Sequence, residues 1–171
     1  MSTTHVIFRP GKMASKHIDA YLKNFVGVAD LDNGNMIRLT GLESGQADLW
    51  TAATPGDVTT YETFIVDTPV RNLIDGLYAI DVVDPREFYV PAGKIGRARK
   101  VVKGDTCYVG NSAITGSPTV GEYATPVNTS HVLAATPASA SKVYFKIIAT
   151  ENFYVGTTTV TGYRLECVAE F

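Results

Sequence analysis

The chain is sparing with the residues that carry out chemistry: its 171 residues include three histidines, two cysteines and one tryptophan. Nucleophilic catalysis needs a nucleophile, a base and an orienting acid brought together, and His5, His17 and His131 lie in contexts that supply no such set. They also lack the close spacing of a zinc site, and neither Cys107 nor Cys167 stands beside one. Two cysteines are too few for a disulfide scaffold, so both are expected to be reduced core residues. No apolar run approaches the roughly 18 residues of a membrane-spanning helix, and no membrane partner is expected. The opening Met1–His5 has neither a basic nor an apolar leader segment, so the expected location is a cytoplasm, left only inside a particle.

Partial motifs fail on position. Asp30-Leu31-Asp32-Asn33-Gly34 has alternate acidic oxygens as a calcium loop does, but its glycine comes one place early and the twelfth place holds Gly41 in place of a bidentate Glu. Asp81, Asp84 and Glu87 read as solvated strand and turn acids, because sequence alone does not set the separation that an acid–base pair needs. Gly93-Lys94-Ile95-Gly96 and Lys103-Gly104-Asp105 lack the Walker spacing and a following helix. Asn128-Thr129-Ser130 is a glycosylation sequon without secretion. The expectation is no enzyme activity, no cofactor and no metal.

The formal net charge of -2 offers no basic excess for nucleic acid. Its distribution along the chain is uneven. Residues 1–29 set Arg9, Lys12, Lys16 and Lys23 against Asp19, a balance of +3. Residues 30–84 set ten acids against Arg38 and Arg71, a balance of -8, and residues 85–103 set six basic residues against Glu87, a balance of +5. Such alternation can form complementary patches, unless the mixing of strands in a β fold disperses them. The basic run Arg97-Ala98-Arg99-Lys100 has no aromatic stacking platform beside it, and an acidic protein surface is the expected partner, with no direct nucleic-acid contact.

What is abundant is strand signal. Short runs of Val, Ile, Tyr, Phe and Thr separated by Gly, Pro, Asn and Asp recur from about residue 25 to the end. Tyr163, Leu165, Cys167 and Ala169 alternate with Arg164, Glu166 and Glu170, which predicts a half-buried strand. Val143, Phe145 and Ile147 alternate with Lys142 and Lys146 in the same way, and the two strands are expected to pair through the intervening Asn152–Val155. Asp32-Asn33-Gly34-Asn35 predicts a tight hairpin between 25–29 and 36–40. Further strands are expected near 48–53, 61–67, 77–83, 86–90, 98–103 and 106–109. The resulting fold class is mainly β, a single barrel or sandwich over 25–171. Residues 1–24 are expected to form an extended N-terminal arm, with at most a short helix near Lys16–Lys23. Residues 110–130, rich in Gly, Ser, Thr and Pro, are expected to be a long loop.

The stretch 18–25 with its continuation Asp30-Leu31-Asp32-Asn33-Gly34-Asn35-Met36-Ile37-Arg38-Leu39-Thr40-Gly41-Leu42, then Leu77-Tyr78-Ala79-Ile80-Asp81, Phe88-Tyr89-Val90-Pro91-Ala92-Gly93-Lys94 and Lys103-Gly104-Asp105, resembles the capsid decoration, or cement, proteins of tailed phages. The resemblance covers about half of the chain. It implies a protein made in a bacterial cytoplasm that binds the outer face of the shell through the major capsid protein, strengthens it, and self-associates, trimers being common in that group. On this reading the arm residues Phe8, Arg9, Met13 and Tyr21, with Phe25 just beyond them and Arg97, Arg99 and Lys100 of the basic run, contact the partner. A tail-tube or head–tail connector component is the alternative within structural proteins, and a small β-barrel enzyme or sugar-binding module the alternative outside them.

Overall fold

The computed structural model describes residues 5–70, 72–74, 77–79, 84–136 and 141–169. Fourteen strands are described: β1 (Phe8–Pro10), β2 (Leu22–Gly27), β3 (Met36–Leu42), β4 (Leu49–Ala53), β5 (Phe64–Val66), β6 (Asn72–Ile74), β7 (Leu77–Ala79), β8 (Ile95–Lys100), β9 (Thr106–Gly110), β10 (Ile114–Thr115), β11 (Tyr123–Val127), β12 (Ser130–Thr136), β13 (Tyr144–Val155) and β14 (Thr158–Ala169). The helical content among them is three short 3₁₀ turns. The protein is therefore mainly β, as its composition implies.

Five strands close into a small barrel in the order β2-β4-β3-β5-β8, with β8 returning to pair with β2. Alternation sorts their side chains. Phe25, Ile37, Ala52, Phe64, Val66 and Ala98 point inward, and Leu31 and Val90 from the connections close the same core. Phe25 has no exposed surface, and its ring occupies the place a side chain at position 96 would need. A Cβ at Gly96 would sit 2.5 Å from Phe25 Cζ, so the cross-strand pair Phe25–Gly96 matches one large residue with none.

The second layer is a seven-stranded sheet, β1-β9-β14-β13-β11-β12-β10, antiparallel except for the β10–β12 pair. Its inner face contributes Val109, Leu133, Phe145, Ile147 and Leu165 to one core. Met36 and Ile65, opposite one another in β3 and β5, turn outward from the barrel into that core. The two layers are thus packed through residues that alternate with the barrel lining. β6 and β7 form a separate two-stranded ribbon.

Several expectations change. Asn33 and Gly34 do sit at the centre of a turn, with Asn35 N–H donating to the Asp32 carbonyl at 3.1 Å and Gly34 at φ 92. The turn does not make a hairpin, however, because β4 lies between β2 and β3 in the barrel. The turn is instead bonded outward: Asn33 exchanges two hydrogen bonds with Thr68, and Gly34 N–H donates to Val66. The expected 110–130 loop holds a 3₁₀ turn, β10, all of β11 and the first residue of β12, leaving 116–122 and 128–129 as connection. Of the expected strand at 86–90, the single Leu31–Val90 bridge is realised. The expected strand at 77–83 is present as β7, and 80–83 lie outside the described residues.

The largest correction concerns the arm. Val6, Phe8 and Met13 are buried in the sheet core, and β1 pairs with β9 along its edge. Beyond β1, Gly11 N–H and the Lys12 carbonyl exchange hydrogen bonds with Thr106, and Ala14 N–H donates to the Asp105 carboxylate at 2.8 Å. Two 3₁₀ turns, Ala14–Lys16 and Asp19–Tyr21, then lead into the barrel. Val6, Phe8 and Met13, which look scattered in a polar sequence, are buried because the segment runs along the β9 edge and is bonded to it, so this part of residues 5–24 is packed into the body rather than standing beside it.

Candidate functional site

The residues expected to meet a partner divide sharply. Phe8 and Met13 belong to the sheet core and Phe25 to the barrel core, so burial removes them from any surface. Arg9 is exposed but lies over the Phe153 ring, 4.1 Å from its centroid. Tyr21 is half-buried, with Lys100 Nζ 5.8 Å from its ring.

The basic run is paired within the chain. Arg99 is buried and its Nε lies 2.5 Å from Asp67 Oδ2, while its Nη1 donates to the Ser15 carbonyl. Arg97 reaches the same carboxylate at 3.3 Å, and Lys100 meets Glu62 at 2.6 Å. The attraction between the acidic and basic blocks is therefore realised across the neighbouring strands β5 and β8, which the barrel register holds together. Residues that lie 30 and 32 positions apart in sequence neutralise one another because β5 and β8 are adjacent in space.

The groups searched for chemistry have structural duties. The His5 ring stacks on Tyr89 and its Nδ1 lies 2.6 Å from Asp32 Oδ1, whose other oxygen accepts from Val6 N–H. His131 Nδ1 lies 3.0 Å from the Met36 carbonyl oxygen, tying β12 to β3. Asp30 accepts from Ala92 N–H. The Asn128 side chain accepts from Val58 N–H. Cys107 and Cys167 are buried thiols that form no disulfide, and burial pushes the Cys107 thiol far up. Among the described residues no three His, Cys, Asp or Glu side chains gather as a metal site. A shallow depression of about 370 Å³ is lined by Gly11 to Ala14, Lys16 and His17, all from one segment, so no acid and base converge on it.

Two exposed features remain, and neither was expected as a contact surface. At one end of the barrel two turns lie side by side. Gly93 N–H donates to the Gly27 carbonyl at 2.9 Å, Ala92 N–H to Asp30, and the 91–94 turn is closed by Lys94 N–H on the Pro91 carbonyl. This doubly held tip presents Val28, 87% exposed, and Ile95, 65% exposed. Two β-branched side chains so open to water, beside turns tied together by these bonds, form an apolar contact point.

The second feature is the end of the β13–β14 hairpin. A bulge between Ile147 and Ala149 marks where it leaves the sheet. On the β11 side, β13 makes its last backbone bonds at Ile147, to Gly121 and Glu122. On the other side, β9 pairs with β14 only from Gly162 onward. Asn152–Val155 and Thr158–Thr161 therefore pair only with each other among the described residues and project by about 13 Å, at ~3.3 Å per residue. One face carries Phe153, Val155 and Val160, all half-buried, and the other Asn152, Tyr154, Thr159 and Thr161, all exposed. The base is clamped: Tyr108 packs edge-on to Phe153 at 4.5 Å, its hydroxyl donates to the Val160 carbonyl at 3.3 Å, and Arg9 covers the far side of the clamp. Gly162 leaves the room that the Tyr108 ring occupies. Burial, with the Glu151 charge adding to it and Arg9 opposing, pushes the Tyr108 phenol up to about 12. A readable signal existed: from Asn152 to Thr161 the sequence has ten consecutive residues without a charge or a proline.

Compared with protein-family models, curated proteins and solved structures, the chain matches none.

Proposed function

We propose that the protein is a structural virion component that binds the outer surface of a phage capsid through the major capsid protein and stabilises the shell. The observation that carries this reading is the meeting of two separated stretches at one end of the barrel. Residues 18–25 with 30–42, and residues 88–94, both resemble decoration proteins, and they are joined by the Leu31–Val90 bridge and by the bond from Ala92 N–H to Asp30. That tip also carries Val28 and Ile95, the large apolar side chains exposed on it. Its bonded backbone loses little freedom on docking, which favours affinity. Because Arg97, Arg99 and Lys100 are already paired within the chain, apolar contact rather than the basic run supports attachment.

The test is binding to purified heads that lack the protein, followed by particle imaging. Density distributed over the head, lost with Val28→Asp/Ile95→Asp in a variant that keeps its wild-type melting temperature, is the expected result. Wild-type binding by that variant removes the tip from the contact. Density in stacked rings or at one vertex transfers the protein to the tail-tube or connector class.

A further inference from the structure

A strand edge is a liability that proteins normally blunt with charge, proline, shortness or cover. The seven-stranded sheet does so at both of its ends. β1 is three residues long and finishes at Pro10, and β10 is two residues long. The outer edge of β13 is treated differently. From Ala149 to Val155 it runs seven residues with no described strand beside it, and past Glu151 the ribbon has no lysine, no other charge and no proline. Its composition, Asn-Phe-Tyr-Val against Thr-Thr-Val-Thr, is that of a strand meant to be covered on both sides. A two-stranded ribbon in water is marginal, and three or more strands with an apolar face are needed for stability of its own. The clamp of Tyr108, Phe153 and Arg9 nevertheless holds this one out at a fixed angle.

We propose that this edge of β13 pairs with the same edge of a second copy, antiparallel and about a twofold axis, to give a four-stranded sheet. Charge and geometry select a second copy as the occupant. In a twofold pairing every residue meets the complement of its own position, so a charge near the axis would face itself and repel; this strand carries none between Asn152 and Val155. A register centred on Asn152 sets Thr150 opposite Tyr154 and Glu151 opposite Phe153, which joins like faces. Phe153 of each copy then meets Glu151 of the other, a carboxylate that lies 3.8 Å from Arg164 of its own ribbon, and the two Tyr154 side chains, each 75% exposed in the single chain, lie on the shared polar face. The Val28–Ile95 tip takes no part in this pairing, so its outcome and that of the capsid reading are separate.

Sedimentation equilibrium of the full chain tests this, over concentrations up to about 1 mM because an interface of this size belongs to the weak class. The expected result is a reversible monomer–dimer equilibrium. Asn152→Asp and Asn152→Lys, each of which places like charges across the axis, should each weaken it about fivefold or more. An equimolar mixture of the two should restore or exceed wild-type association, because opposite charges then face one another. Circular dichroism and the melting temperature should stay at wild-type values, since position 152 is exposed. A wild-type chain that stays monomeric throughout, or association that is unmoved by the single variants, or variants that fail to complement one another, would overturn the proposal.

Discussion

The guanidinium of Arg99 and the carboxylate of Asp67 form an ion pair at 2.5 Å in which both side chains are about nine-tenths removed from water. The pair sits where the segment around Ser15 crosses the barrel strands β5 and β8, and Ser15 supplies the guanidinium with a second acceptor. Taking two charges out of water is costly, and removing one of them leaves the other stranded.

Asp67→Ala is expected to destabilise the protein by about 3–5 kcal/mol, the range for a buried pair that loses one partner. Arg97→Ala, which removes a partner of the same carboxylate that is 30% exposed, should cost no more than about 1 kcal/mol. Urea denaturation of both variants distinguishes them. Equal losses would mean that the buried pair contributes no more than a surface one.

The barrel makes a second, sharper case. Gly96→Ala drives a methyl into the Phe25 ring, and should destabilise by about 1–3 kcal/mol through overpacking. Phe25→Ala empties the barrel centre, at about 3–5 kcal/mol. Gly96→Ala combined with Phe25→Leu should be more stable than the two single losses imply. A double-mutant cycle in urea measures this coupling, and strict additivity would show that the two positions do not share space.

Deletion of residues 1–13 should unfold the protein or lower its stability severely. Val6, Phe8 and Met13 are buried and are each worth about 1.5–3 kcal/mol, against a total of about 5–15 kcal/mol for a typical domain. A detached arm would instead leave the body intact. Thermal unfolding of the truncated chain decides between them.

Stability should fall in alkali on account of Cys107. Burial holds its thiol protonated in the fold, whereas in the unfolded chain it ionises near its ordinary value of about 8.5. The raised folded pKa means that this contribution is intact below about pH 8.5 and is lost as pH rises beyond it, at about 1.4 kcal/mol per pH unit. Urea midpoints between neutral and alkaline pH should show the slope, and Cys107→Ala should flatten it. The same burial implies that alkylation of the thiol follows unfolding; labelling at the rate of a free thiol in native buffer would contradict it.

The sequence alone determined the local alternation. Tyr163, Leu165 and Cys167 face inward with Arg164 and Glu166 on the other side of β14, and Val143, Phe145 and Ile147 do the same beside Lys142 and Lys146. A period of two is a property of the extended chain itself and needs no partner to be read. The turn at Asn33-Gly34 was legible for the same reason, since Gly34 takes the left-handed conformation that its lack of a Cβ permits. Tertiary structure decided which strand lies beside which. β4 enters between β2 and β3 and opens the expected hairpin, because closing a barrel fixes neighbours by the whole circuit rather than by sequence order. It also decided that Phe8, Met13 and Phe25 are core and that Arg99 is answered by Asp67, since burial and charge pairing depend on what other segments bring to a position. The exposed ribbon and the Val28–Ile95 tip belong to the same class: a side chain is a surface feature only once the rest of the chain has left it uncovered.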